Sequence, residues 1–419
     1  MTYLFVLALR SAWNRRLTLG FTLLAIALSV TLLLTIERLR VDARASFVQA
    51  VSGTDLVVGA RGSPLQLILY AVFRIGSATQ EMSWASAEAI AQHPAVAWTL
   101  PLALGDSHRD YPVLGAPRDY FRLLRHGDGE PLRFAEGVPY AGLFEVVLGA
   151  EVAERLGYRL GDRLILAHGG GHLAPEHADK PFTVVGILAR TGTPIDRTLH
   201  VSLEAIEAIH LDWQGGAPIP GLTIPPELVG KFDLTPKSVT AVLVGLKSRA
   251  QVFAMQRWVQ SYPDEPLMAV LPGVTLDQLW EIMAVAERSL LAVSALVAGV
   301  GLIGLVAVIL AGLNERRREL AILRSVGAGP RRLMLLLALE GAVLTLLAIA
   351  LGLALSHLLV LLVGPWLASQ YGVWLRIAWP TAGQWLWLAA VFLVGLAASL
   401  VPAWRAYRLS LADGLTPQV

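Results

Sequence analysis

The chain of 419 residues contains no cysteine, which excludes disulfides, thiolate metal sites and a cysteine nucleophile. Charge is also scarce. Asp, Glu, Lys and Arg make up 16% of the residues, against roughly a quarter in an average soluble protein. The 34 basic and 32 acidic side chains leave a net charge of +2, so no global basic field draws the molecule to nucleic acid. A phosphate-cradling G-x-x-x-x-G-K-[ST] loop is missing as well, the lone Gly230-Lys231 pair being followed by Phe232, so the chain lacks the usual cradle for nucleotide phosphates. What is abundant is apolar: 55% of the residues are hydrophobic, and this places the chain in the membrane class.

A helix rising ~1.5 Å per residue needs about 20 apolar residues to cross a ~30 Å hydrocarbon core. Residues 17–36, 289–313 and 384–404 contain no Asp, Glu, Lys, Arg or His, and 333–363 contains only Glu340 and His357. The first run follows Arg15-Arg16, as a signal peptide would. Its length and the lack of a small-x-small site before Glu37-Arg38 favour a retained anchor.

Basic flanks set the orientation. Arg10, Arg15 and Arg16 precede the first span; Arg316, Arg317, Arg318, Arg324, Arg331 and Arg332 separate the second from the third; Arg405 and Arg408 follow the fourth. These flanks are expected in the cytoplasm together with both termini, at the inner membrane of a multi-pass protein. The 364–383 loop carries Arg376 as its one basic residue but also Trp366, Trp374 and Trp379, as an outer aromatic belt would. The expected order is a cytoplasmic segment 1–16, a span 17–36, an extracytoplasmic domain 37–288, a span 289–313, a cytoplasmic loop 314–332, a span 333–363, an outer loop 364–383, a span 384–404 and a cytoplasmic tail 405–419.

Strand-like runs at 55–59, 97–104, 144–148, 163–166, 182–188 and 239–244 alternate with helix-like runs at 86–92 and 250–259. The fold class expected is therefore a membrane protein with four transmembrane α-helices in a one-plus-three layout and a large α+β extracytoplasmic domain between the first and second. The Gly- and Pro-rich stretch 214–226 reads as a surface loop. The apolar run 64–75 is either a core helix or an element lapping the membrane. Leu276, Leu279, Met283, Ala286 and Leu290 recur at helical spacing, so a stalk helix over 274–288 continues into the second span or packs on its own domain.

Three features bear on function. The 314–328 segment combines Glu315, Arg316, Glu319 and Arg324 with Leu320, Ile322, Leu323, Val326 and the helix-ending Gly327. This pattern suits a coupling helix, with ionic partners at a rim and apolar side chains for a groove; the alternative is a plain positive-inside anchor. Glu340 is costly within a span unless it is paired or near the interface, and so reads as a snorkelling side chain or as part of a helix interface. His168, His172 and His177 cluster with Glu176 on a Gly-rich hairpin-like loop. Imidazole and carboxylate are zinc ligand types, and the alternative is a polar surface hairpin without metal.

Segment 314–328 reads Asn-Glu-Arg-Arg-Arg-Glu-Leu-Ala-Ile-Leu-Arg-Ser-Val-Gly-Ala, and 401–408 reads Val-Pro-Ala-Trp-Arg-Ala-Tyr-Arg. With Val147-Leu-Gly-Ala-Glu-Val-Ala-Glu-Arg-Leu-Gly157, Gly161-Asp162 and Val184-Val-Gly186, these segments resemble the MacB/FtsX-type permeases of ABC transporters, the LolC/E-like proteins among them. The resemblance implies a non-catalytic permease that binds no cofactor itself. A separate ABC ATPase would carry ATP and Mg. Further implied partners are a second permease copy, a periplasmic adaptor or substrate-binding protein, and membrane lipid. An FtsX-like regulator of an extracytoplasmic enzyme and a membrane-anchored receptor are the alternatives.

Overall fold

In the computed structural model, residues 16–408 are described apart from 51, 77–79, 128, 170–173, 215, 316–328, 372–374 and 376. The apolar runs become four long helices, α1 (Arg16–Ala50), α5 (Pro272–Glu315), α6 (Pro330–Tyr371) and α7 (Ala382–Arg408). Each contains a stretch long and apolar enough to cross a membrane. The domain inserted after α1 contributes α2 (Pro64–Ala71), α3 (Ala150–Leu156) and α4 (Leu203–His210), with further helices that include Trp84–Ala91 and Val252–Gln260. The chain divides into two compact units, one of residues 1–42, 283–366 and 375–419, the other of 43–282 and 367–374.

In the helical unit, the apolar core includes Ile26, Val30, Leu305, Ile309, Leu337 and Ala348. Helix contact depends on small residues, because lipid is as apolar as the side chains and only close packing favours association. A Cβ on Gly352 would stand 2.7 Å from the Ala27 carbonyl oxygen, and one on Gly395 would meet Thr345 at 2.7 Å. The Thr31 hydroxyl donates to the Gly352 carbonyl at 3.1 Å, tying α1 to α6. Leu296, Ile303, Leu362 and Leu386 face outward and are at least 70% exposed, the surface that hydrocarbon would cover.

The inserted unit is built on a sheet of eleven strands. They are β1 (Leu56–Ala60), β2 (Val96–His108), β3 (Tyr111–Gly115), β4 (Phe134–Gly137), β5 (Glu145–Leu148), β6 (Arg163–Leu164), β7 (Ala167–His168), β8 (Phe182–Leu188), β9 (Leu199–Val201), β10 (Ala241–Leu246) and β11 (Leu267–Val270). The order is β11-β1-β10-β2-β3-β9-β5-β8-β4, with β7 added to β2 and β6 to β8. Pairing is antiparallel except between β9 and β3 and between β5 and β8.

Successive strand residues point to opposite faces, and here both faces are covered. Val57, Leu114, Val147 and Leu243 enter one core. Their neighbours Leu56, Val58, Val242 and Val244 enter a second, and Val113, Val146 and Leu148 a third. That is why these strands are apolar throughout instead of alternating. The long strand β2 serves both halves of the sheet. Its residues Val96–Leu102 pair with β10, and its later residues pair with β3 across a register shift between Leu104 and Ser107.

The 64–75 run belongs to the core. Its Ser63 N-cap accepts from the Gln66 amide, and Ile68 and Ala71 are buried with Leu100 and Leu102. At the start of 214–226, Trp213-Gln214 pairs with Ala217-Pro218 in a short antiparallel ladder. Helix α5 is unbroken from Pro272 to Glu315. Leu276, in its first turns, is buried in the sheet domain, and Asp277 pairs with Arg44 of α1 at 2.7 Å.

His200 on β9 predicts a pH response. Its ring is buried beside Tyr120 and Phe121. Burial, with the Arg74 charge nearby, pushes its pKa down to about 3. In the unfolded chain it titrates near 6.5, so between these limits the unfolded state binds the extra proton. The stabilisation from a neutral His200 is complete above about pH 6.5 and is lost at about 1.4 kcal/mol per pH unit as pH falls toward 3. The melting temperature of the detergent-purified chain is expected to drop from pH 7 to pH 4, and His200→Gln to make that drop shallower. An identical pH slope in the variant would refute the assignment.

Candidate functional site

At the far end of β2 the apolar strand gives way to Asp106, Ser107 and His108, all buried. The register of β7 on β2 sets His168 directly opposite Asp106. The chain then turns back, with Ala167 bridged to Glu176 and the His177 amide donating to the Leu166 carbonyl at 2.8 Å. That return brings His177 alongside His168. The third histidine, His210, is the last residue of α4.

One donor atom from each of Asp106, His168, His177 and His210 falls within 4.8 Å of the other three. Asp106 Oδ1 lies 3.1 Å from His168 Nδ1, 3.5 Å from His210 Nε2 and 3.9 Å from His177 Nε2. His168 Nδ1 and His210 Nε2 are 2.9 Å apart. The rings approach edge to face: those of His177 and His210 are 4.9 Å apart at 88°, and those of His168 and His210 4.9 Å apart at 78°. Trp213 stacks on His177 with centroids 4.0 Å apart.

Burial alone would raise the Asp106 carboxyl, but hydrogen bonds from His168 and His210 and nearby imidazole charge hold it at about 2. His177 is pushed down to about 4 by burial and by His210, so its ring is neutral at neutral pH. Burial would lower His210 too, yet its contact with Asp106 raises it. His108, two residues from Asp106, is a contrast. Its Nδ1 meets the Ile165 carbonyl at 2.6 Å and its Nε2 meets the Tyr158 hydroxyl at 2.9 Å, so both nitrogens are used in packing the core.

A buried ion pair fastens this corner. The Lys180 ammonium, with no exposed surface, lies 2.8 Å from Asp212 and also pairs with Asp179. Asp212 in turn accepts from the Ile224 amide at 3.0 Å. Lys180 follows His177 by three residues and Asp212 follows His210 by two, so the pair pins together the two segments that supply these histidines.

Of the four loop residues expected to bind metal, His168 and His177 come together. Glu176 is exposed and is absent from the group, because its place in the bridge to Ala167 directs it away. His172 lies outside the described residues, as do Arg316, Glu319, Leu320, Ile322, Leu323, Arg324, Val326 and Gly327 of the coupling segment. Glu315 ends α5, and Glu340 is half-buried on α6. Asp106 and His210 were missed by the sequence reading, being 62 and 42 residues from His168. The one local signal was the polar Asp106-Ser107-His108 triplet ending an apolar strand.

The model of the MacB-like periplasmic core domain matches residues 19–262, and that of the FtsX-like permease C-terminal region matches 291–411. The chain belongs to the MacB/FtsX family of ABC transporter permeases. A relative in Neisseria meningitidis serogroup B, the lipoprotein-releasing system transmembrane protein LolC, is 23% identical over 230 residues. That match spans 54% of this chain and 50% of the relative, about half the length of each. Among solved structures, the periplasmic region of MacB from Actinobacillus actinomycetemcomitans is similar at a TM-score of 0.34 and 12% identity, over 56% of this chain and 97% of that one. The extracellular domain of the Gram-positive noncanonic ABC-type transporter YknZ gives 0.30 and 13%, over 52% and 99%.

The 147–157 motif that this MacB/FtsX permease displays has a structural reason. It covers the end of β5 and all of α3, and a Cβ at Gly149 would press against the Ile195 and Asp196 carbonyl oxygens at 2.3 and 2.5 Å. Gly157 closes α3 in the left-handed region at φ 73°, where glycine carries no Cβ penalty. Asp196, buried beneath the motif, accepts from the Thr191 and Gly192 amides at 2.8 Å.

Proposed function

We propose that this chain is the permease subunit of an inner-membrane ABC transporter in which ATP hydrolysis by a separate ATPase drives its periplasmic domain to export or handle a periplasmic substrate. The observation that carries this reading is the FtsX-like match over 291–411, which contains the 314–328 segment. That segment offers apolar Leu320, Ile322, Leu323 and Val326 together with Glu315, Arg316 and Glu319, the composition of a helix that seats in a groove on a partner. Membership of the MacB/FtsX family supports a dimer of permeases, cytoplasmic termini and an ATPase on another polypeptide. The helix α5 supports mechanical coupling, since a single helix carries Leu276, a residue of the sheet-domain core, and ends at Glu315, at the start of that segment.

The test is affinity purification of the tagged full chain from its native membranes in mild detergent. A nucleotide-binding ATPase is expected to copurify, and the reconstituted pair to hydrolyse ATP with a rate that responds to the permease. Recovery of the chain from intact membranes with no ATPase, at several detergent and nucleotide conditions, would overturn the reading in favour of an anchored receptor. An extracytoplasmic hydrolase held stoichiometrically beside the ATPase would replace transport by FtsX-like regulation.

A further inference from the structure

We propose that Asp106 Oδ1, His168 Nδ1, His177 Nε2 and His210 Nε2 form a four-coordinate site for a zinc ion in the periplasmic domain. Donors held about 2.0–2.2 Å from a tetrahedral zinc stand about 3.3–3.6 Å from one another. Four of the six separations are 2.9, 3.1, 3.5 and 3.9 Å and the group as a whole lies within 4.8 Å, so side-chain movements of about 1 Å would seat an ion. The ligand set suits zinc over calcium or magnesium, which take oxygen donors in larger number.

His177 supplies the independent observation. Its side chain has no exposed surface, and neither ring nitrogen has a hydrogen-bond partner among the described residues. A buried imidazole left unsatisfied is costly, and a metal bond satisfies the nitrogen that faces the cluster. His168 Nδ1 and His210 Nε2, 2.9 Å apart, stand at a separation that an ion bound between them would widen only slightly. His210 is prepared for this role. Its Nδ1 donates to the Ile206 carbonyl at 2.8 Å, so Nε2 is the nitrogen that would give up its proton and ligate the ion, with Nδ1 held by the usual outer support of a metal-bound histidine.

With four protein donors the site is closed, as structural zinc sites are. It joins β2, the hairpin that carries His168 and His177, and the end of α4, three segments far apart in sequence. Zinc bound there would lock this corner of the domain, and the domain would be firmer with zinc than without it. The site rests on the geometry of the sheet domain and is independent of how the permease engages its ATPase.

The experiment uses the full-length chain in detergent, stripped with a chelator, desalted and titrated with zinc. Expected are one zinc per chain by elemental analysis, a melting temperature raised by several degrees, and tetrahedral ligand-field bands when cobalt(II) replaces zinc. His177→Ala and His168→Ala should each weaken zinc affinity by at least about 100-fold and abolish the thermal shift, while Glu176→Gln keeps both. The metal-free melting of His168→Ala, whose side chain is 36% exposed in the unaltered chain, is measured alongside, and a cooperative transition there separates loss of ligation from misfolding. Sub-stoichiometric zinc with no thermal shift in the unaltered chain would overturn the proposal, and so would zinc binding by His168→Ala equal to that of the unaltered chain.

Discussion

Replacing Leu323 by Asp is expected to detach the ATPase from the membrane-embedded permease and abolish permease-dependent ATP turnover. In a helix, Leu320, Leu323 and Gly327 fall toward one side of the 314–328 segment, while Arg316 and Glu319 can reach partners at the rim. Apolar contact should then dominate the affinity. A carboxylate carried into a groove without a counter-charge costs several kcal/mol, on the order of 3–5, which is a factor of a hundred or more in binding. Arg317→Gln, the loss of a solvated rim charge, should cost less than ~1 kcal/mol. Both variants should insert normally, because the remaining arginines around the spans keep the cytoplasmic bias. The measurement is ATPase copurification and ATP turnover at matched membrane levels. If Leu323→Asp behaves as the unaltered protein does, the segment is only an anchor.

The second large effect is expected at Lys180. Its ammonium is fully buried between Asp212 and Asp179, so Lys180→Met leaves Asp212, itself 4% exposed, without its cation. Removing one partner of a buried pair typically costs about 3–5 kcal/mol. For a domain of this size each kcal/mol lowers the melting temperature by about 2–4 °C, so a fall of roughly 10 °C is expected by calorimetry or fluorescence. Converting both partners, Lys180→Met with Asp212→Leu, should recover much of that loss, because no charge then remains unpaired. Zinc affinity should fall in the single variant as well, since the pair pins the segments bearing His177 and His210. A Lys180→Met protein that melts within about 2 °C of the unaltered chain would mean that the pair is replaceable by water.

The elements legible from residues alone are those whose physics is local. Four long apolar runs demand membrane helices whatever surrounds them, because the bilayer offers the backbone no other hydrogen-bond partners. The strand-like runs at 144–148, 182–188 and 239–244 became strands of the sheet, because short β-prone apolar runs bounded by turn residues are a local signal.

What lay beyond the sequence was decided by distance along the chain. The 64–75 run has the apolarity of a membrane-lapping helix and of a core helix alike. Only its burial against Leu100 and Leu102 makes it the latter. The histidine loop showed three imidazoles close in sequence, but a metal cage needs convergence in space. The register of β7 on β2 brings Asp106 to His168, and the packing of α4 brings His210, while Glu176, adjacent to His177 in the chain, is turned outward. Composition and periodicity determine which segments are buried and in what secondary structure. Which polar groups are buried together depends on sheet register and helix packing, which join residues more than forty positions apart and leave no periodic mark on the sequence.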